Sequence, residues 1–367
     1  MKLRRLTGLL LSLVLLFCTG CSQSAAPRSA PSPTAEEQAL SSPSETPAEA
    51  PSNQQAEETV SAEKNAPAPV QEVSFMLCAY LPVSSMTQGA AAVAEEYAGS
   101  IAALDYLVLN TGAYWDENGT LSLSDELLDA IETLQGKTAL WCTVNPQGAL
   151  IREGTAGQSI DTPQERQALA QEIAAFAEQY GLAGIDIDWE FPLDDEWEDF
   201  STFLIALKDT LSRNSKPVAL SLALYPEEIA LSEEAIAALD RIHIMAYDQF
   251  DSEGFHSTMQ TAEDAVAYFT ALGASPQQLV LGIPAYGRPL DGSAQWVFYK
   301  DIDPESISGE NPDLVGDISF NSAATAAQKT QYALEQNLGG VMVYQLLCDR
   351  NDQDALILAC ANMAENA

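Results

Sequence analysis

The chain has 367 residues, with 53 acidic against 16 basic side chains and a formal charge of −37. That balance repels polyphosphates, so nucleic acid is excluded as a partner and a neutral or cationic ligand fits better. Two histidines, and no pair at ligand spacing among the four cysteines beyond residue 21, speak against His-centred triads and a resident metal, and no Gly-rich phosphate turn points to a cofactor.

Along the chain, Lys2, Arg4 and Arg5 precede an apolar run from Leu9 to Phe17, and Cys18-Thr19-Gly20-Cys21 follows. This layout predicts a secretion signal over residues 1–21 whose end resembles a bacterial lipoprotein cleavage site, with Cys21 as the lipidated residue. Cys18 departs from that pattern, which usually has Leu there. The alternatives are an ordinary signal peptide and an uncleaved anchor, the latter disfavoured because the run is short for a membrane span. Residues 22–70 are rich in Ala, Pro, Ser and Glu, with almost no large apolar side chains. Such a segment cannot bury enough surface to offset its ordering entropy, so a disordered tether is expected. The predicted location is the extracellular face of the cell membrane, reached through the lipid alone, or release from it.

Residues 71–367 are ample for one core. Apolar, β-branched runs predict strands at Ser74–Tyr80, Asp105–Asn110, Thr138–Val144, Gly184–Glu190, Val218–Leu224, Ile242–Tyr247, Leu279–Pro284 and Gly340–Gln345. Amphipathic segments between them predict helices at Pro163–Tyr180, Trp197–Arg213, Ser232–Leu239, Ala262–Leu272 and Ser322–Gln336, with a last one at Asp354–Met363. Strands that are continuous apolar runs suit a parallel sheet covered on both faces. Eight of them alternating with helices predict an α/β fold, a (β/α)8 TIM barrel in one domain. Cys78, Cys142, Cys348 and Cys360 are expected as buried free thiols, with a Cys78–Cys348 disulfide as the alternative.

Within the fourth strand, Gly184-Ile185-Asp186-Ile187-Asp188-Trp189-Glu190 places three acids at alternate positions. Alternation puts Asp186, Asp188 and Glu190 on one face, roughly 6–7 Å apart at each step. Three like charges in a row are a cost that packing alone would not impose. At least one must be protonated or tightly hydrogen-bonded, which is how a carboxylic acid is kept as a proton donor near neutral pH.

This stretch resembles the fourth-strand signature Asp-x-x-Asp-x-Asp-x-Glu of family 18 glycoside hydrolases, the chitinase and endo-β-N-acetylglucosaminidase group. Met245-Ala246-Tyr247-Asp248 is similar to the family's sixth-strand motif, Leu281–Arg288 to its seventh and Gly339–Met342 to the start of its eighth. The resemblance implies retaining, substrate-assisted hydrolysis of β-1,4-linked N-acetylglucosaminyl glycans by a monomer. Glu190 would protonate the leaving oxygen, Asp188 would orient the substrate acetamide, and Asp186 would share a proton with Asp188. Tyr247 would hold the acetamide oxygen. Tyr80, Met245, Asp248, Tyr286, Arg288 and Tyr344 would contact substrate, although Tyr286 and Arg288 could instead close the loop after strand seven. Trp115, Trp197 and Trp296 are further candidates for stacking on sugars.

Three departures from the family pattern stand out. Ala183 replaces the first Asp of the signature. Cys142-Thr143-Val144-Asn145-Pro146 stands where a Ser-x-Gly-Gly motif is usual, so the Thr143 hydroxyl would have to supply the serine's contact to Asp186. Tyr344 takes the place of the usual Trp. The roughly 35 residues between Arg288 and Ser322 are too few for a large insertion domain, which predicts a shallow cleft. The rival reading is a non-catalytic carbohydrate-binding lipoprotein on a degenerate barrel. A weaker one is a two-carboxylate hydrolase of non-acetylated glycans, which leaves Tyr247 and Asp248 unexplained.

Overall fold

The structure is a computed structural model that describes residues 74–190, 192–307 and 311–367. The predicted signal, Cys21 and the tether lie outside the described residues. Eight parallel strands form the barrel: β1 (Met76–Pro82), β2 (Tyr106–Trp115), β3 (Ala139–Pro146), β4 (Gly184–Ile187), β5 (Ala219–Leu224), β6 (Arg241–Ile244), β7 (Leu279–Pro284) and β8 (Gly340–Tyr344). Each pairs with its neighbours in sequence order, and β1 pairs with both β2 and β8, which closes the ring and leaves no open edge.

Alternation along the strands sorts side chains into two layers. Ile185 and Ile187 of β4 join the outer layer with Leu169, Ile173 and Phe200 of the surrounding helices. Gly184 and Asp186 point the other way, into the barrel, where Tyr80, Tyr106, Trp141 and Met342 fill the axis. Gly184 is required there, because a Cβ at this position would lie 2.1 Å from the Trp141 ring. Five of the described α-helices open on a Ser or Thr whose hydroxyl accepts an amide of the first turn. Pro163–Tyr180 opens with a Thr162–Glu165 capping box and closes at Gly181 in the left-handed region, φ 64°.

Between β7 and β8 the chain adds a four-stranded antiparallel sheet made of Tyr286–Pro289, Val297–Phe298, Leu314–Val315 and Ile318–Ser319. It is a small cover over one side of the barrel mouth. The four cysteines of this region are free and buried, so the Cys78–Cys348 disulfide does not form. No described helix is long and apolar enough to cross a membrane.

Candidate active site

The acid row climbs out of the barrel. Asp186 is fully buried, Asp188 half-buried and Glu190 exposed at the mouth. The strand is shorter than the sequence predicts, ending at Ile187 rather than at Glu190. The ladder with β3 stops at the Val144–Ile187 pair, and the next amide, Asp188 N–H, donates to the Asn145 side-chain oxygen at 2.8 Å. A side chain thus takes over from the backbone where the acids leave the sheet.

Asp186 sits in a nest of donors. Thr143 and Ser221 are its direct neighbours in register on β3 and β5. Their hydroxyls donate to it at 3.2 and 2.5 Å, Tyr80 adds a third at 2.8 Å, and His243 Nδ1 stands 3.3 Å away. The Thr143 hydroxyl therefore fills the place that the missing serine would have taken. The side-chain partner of Asp188 is Glu190, not Asp186. Burial raises the Asp188 carboxyl well above the carboxylate range, and the charges of Glu190 and Asp186 add to this. Glu190 is raised too, first by its crowded surroundings, with its contact to Asp188 partly offsetting that and the Asp248 charge reinforcing it. Glu190 meets solvent, so its upward shift is the softer of the two. Both shifts favour a proton shared within the pair, a coupled titration. Asp188 Oδ1 is shut off from solvent with no hydrogen-bond partner among the described residues.

Facing the row is the segment after β6. Tyr247 is stacked against Tyr344, centroids 5.5 Å apart, and edge-on to Tyr286. Asp248 adopts φ 59° and is held on every side. Arg288 pairs with it, the Tyr286 hydroxyl donates at 2.7 Å, and its own N–H donates to His256 Nε2 at 2.9 Å. The loop's return is fixed from below: the buried Lys329 ammonium donates to the Ser257 carbonyl (2.7 Å) and Asn321 Oδ1 (2.7 Å), while the Ser257 hydroxyl donates to the Ala246 carbonyl (2.6 Å). Trp296 is half-buried, its ring lying 3.8 Å above Tyr286 at 4° and edge-on to the half-buried Tyr344.

Several predicted substrate contacts turn out to be supports. Tyr80 is 2% exposed and committed to Asp186, which leaves it no face for a sugar. Tyr286 has no exposed surface, because Trp296 covers its ring, and the buried Arg288 is spent on Asp248. Trp115 and Trp197 are buried in the outer layer, so of the three tryptophans only Trp296 reaches the mouth. Met245 is buried in the inner layer beside Tyr247. Sequence reasoning passed over Ser221, His243 and the Asn145 side chain as working parts. Each of β5 and β6 carries one inward polar residue in an apolar run, and that was the available signal. No group of three ligating side chains able to hold a metal occurs among the described residues.

The carboxylic-acid row stands at the carboxyl end of β4, the face of a closed parallel barrel where barrel enzymes place their chemistry. The chain belongs to glycosyl hydrolases family 18, which matches residues 52–349. It is 24% identical over 261 residues to "Endochitinase 1" of Metarhizium robertsii, covering 55% of this chain and 60% of that one. It is 24% identical over 331 residues to "Chitinase A1" of Niallia circulans, covering 64% and 47%. The chain therefore spans about 60% or less of the length of these relatives. Among solved structures, a chitinase from Bacteroides thetaiotaomicron superposes with TM-score 0.66 at 21% identity, covering 79% of this chain and 96% of that one. A family 18 chitinase from Flavobacterium johnsoniae superposes equally well, TM-score 0.66 at 22% identity, covering 80% and 94%. These structural likenesses bear on the fold.

Proposed function

We propose that the protein is a retaining glycosidase of β-1,4-linked N-acetylglucosaminyl glycans, using the substrate's own acetamide as nucleophile. The carrying observation is the Asp188–Glu190 pair: two carboxyls in contact, both raised by burial, and an Asp188 oxygen without a partner among the described residues. Glu190 gives its proton to the leaving glycosidic oxygen as the acetamide carbonyl oxygen bonds to the anomeric carbon. Asp188, freed of its proton contact, accepts the acetamide N–H through Oδ1 and stabilises the positive oxazolinium ring. Water then opens the ring and returns a proton to Glu190. Tyr247, ionised only with difficulty because burial and the neighbouring Tyr344 and acids raise it, keeps its hydroxyl proton to hold the acetamide oxygen in line. Asp248 borders this subsite, and Tyr344 is its floor. Cys21 lipidation would place a monomeric enzyme on the outer membrane face, and mass spectrometry of the mature N-terminus tests that.

The deciding assay compares N-acetylglucosamine oligomers with the same oligomers lacking the acetyl group, for wild type and Glu190→Gln. Wild type cleaves only the acetylated series, and Glu190→Gln binds it without cleavage. Cleavage of both series would rule out acetamide participation. Binding without cleavage by both proteins would make the chain a carbohydrate-binding module.

A further inference from the structure

His243 is an unexpected occupant of a barrel axis. It has no exposed surface and packs against the Tyr106 ring at 5.9 Å and the Trp141 ring at 6.1 Å. Both ring nitrogens are engaged: Nδ1 lies 2.6 Å from the Tyr80 hydroxyl and 3.3 Å from Asp186 Oδ1, and Nε2 lies 2.8 Å from the Tyr106 hydroxyl. Tyr106 in turn contacts the Cys78 thiol. A continuous chain of hydrogen bonds thus runs from the depth of the barrel to Asp186.

The direction of that chain follows from the carboxylate. Tyr80 has one hydroxyl proton, and it points at Asp186 Oδ2. Nδ1 must then supply the proton between itself and the phenol oxygen, and the same N–H faces Asp186 Oδ1. In the reverse order Tyr80 would donate to Nδ1. A buried carboxylate would lose one of its three hydroxyl donors and meet a nitrogen lone pair at 3.3 Å, which a buried anion does not tolerate cheaply. With the forward order, Tyr80, Thr143, Ser221 and His243 together satisfy both oxygens of Asp186.

We propose that His243 is a positioning residue of the active site: its Nδ1–H, held toward Tyr80 and Asp186 by the Tyr106 hydroxyl at Nε2, fixes the Asp186 carboxyl in place beneath the Asp188–Glu190 pair. The inference rests on the acid roles given under Proposed function, and goes beyond them in assigning the proton order beneath the site. The groups facing His243 are Asp186 from β4, Tyr80 from β1, Tyr106 from β2 and the Trp141 indole from β3. Cys78 stands behind Tyr106, and Arg241 lies at the start of β6.

The sequence has only two histidines, so the protein labelled with 15N-histidine gives two imidazole systems, and a His243→Asn sample assigns them. The expected result is His243 protonated at Nδ1. A His243 protonated at Nε2 alone, with Nδ1 accepting, overturns the proposal, and this measurement does not need an active enzyme. Kinetics on N-acetylglucosamine tetramer give the second arm. Removing a hydrogen bond to a buried charge lowers kcat about ten- to a hundredfold in His243→Phe, with KM changed by less than about twofold. His243→Asn, whose amide nitrogen can stand near Nδ1, recovers part of kcat. Equal loss in the two variants, or wild-type kcat in His243→Phe, also overturns it. A wild type that cleaves nothing refutes the glycosidase reading and leaves the ring-proton result to stand or fall by itself.

Discussion

Asn145 offers the sharpest test of how the acids are held, because the chain lacks the usual glycine-rich turn at this point. Its side-chain oxygen accepts the Asp188 N–H at 2.8 Å, where the β3–β4 ladder has already ended. Asn145→Ala leaves that amide in a partly buried place with no protein acceptor. An orphaned buried donor costs about 1–3 kcal/mol. Expressed wholly in the transition state, that is roughly a 5- to 150-fold loss of kcat. Expressed wholly in folding, it lowers Tm by about 2 °C per kcal/mol for a domain of this size. The expected outcome is a mixture weighted to catalysis, because the segment from Asp188 to Glu190 is bound to the sheet by little else: kcat down about tenfold, Tm down a few degrees and KM nearly unchanged. The assay is steady-state hydrolysis of N-acetylglucosamine oligomers beside a thermal melt. Asn145→Asp keeps an acceptor but brings a fourth carboxylate to the row. It should recover the Tm more than the rate, and move the alkaline limb of the pH profile upward because the pair then holds its proton more tightly. A lowered Tm with wild-type kcat in Asn145→Ala would show that Asn145 braces the fold alone and refute the reasoning.

Burial pushes His256 down to about 3 from 6.5, and its Nε2 accepts the Asp248 N–H. Between those values the unfolded chain binds a proton that the folded one refuses, so stability present above pH 6.5 is lost as pH falls toward about 3. Urea unfolding at pH 7 and 4.5 should show wild type losing more than His256→Gln, whose amide can accept without titrating. Trp296→Ala should raise KM for the tetramer severalfold with little change in kcat, since the indole is half-exposed beside Tyr344 and touches no acid. Gly184→Ala places a methyl 2.1 Å from the Trp141 ring, and the packed stack of Trp141 on Tyr106, centroids 4.3 Å apart, cannot yield. A loss of about 1–3 kcal/mol or more is expected in urea unfolding.

The strands were legible because a parallel barrel buries both faces, and buried strands announce themselves as unbroken apolar runs. Their ends were not. β2 continues to Trp115, past the predicted stop at Asn110, because a bulge between Leu109 and Ala113, with Thr111 at φ 66°, lets pairing resume beyond it. β4 stops short because a side chain replaces its ladder. The acids were legible through their period of two, and Tyr247 and Asp248 through the motif that carries them. The supports were not, for a physical reason. Thr143, Ser221 and His243 are isolated polar residues with apolar neighbours on either side, and such residues are usually satisfied locally. Only closure of the barrel shows that three strands, together with Tyr80 on a fourth, each bring a polar side chain to the same carboxylate.

That closure also settles a symmetry the spacing leaves open. Asp188 stands two residues from Asp186 and two from Glu190, so alternation alone gives it equal claim to share a proton with either. Asp186 takes three hydroxyl donors, with the His243 ring at 3.3 Å, whereas Glu190 stands at the exposed end of the row with no comparable set of donors. On the proposed reading the shared proton lies outward, on the Asp188–Glu190 pair. A buried anion one step deeper raises the proton affinity of Asp188 by its charge without competing for the proton. Asp186→Asn should on this argument lower the pH at which the pair gives up its proton, and do so even if the Thr143, Ser221 and Tyr80 contacts rearrange around the amide. A pH–rate profile whose limbs do not move between wild type and Asp186→Asn would mean that Asp186 acts through geometry and not through charge.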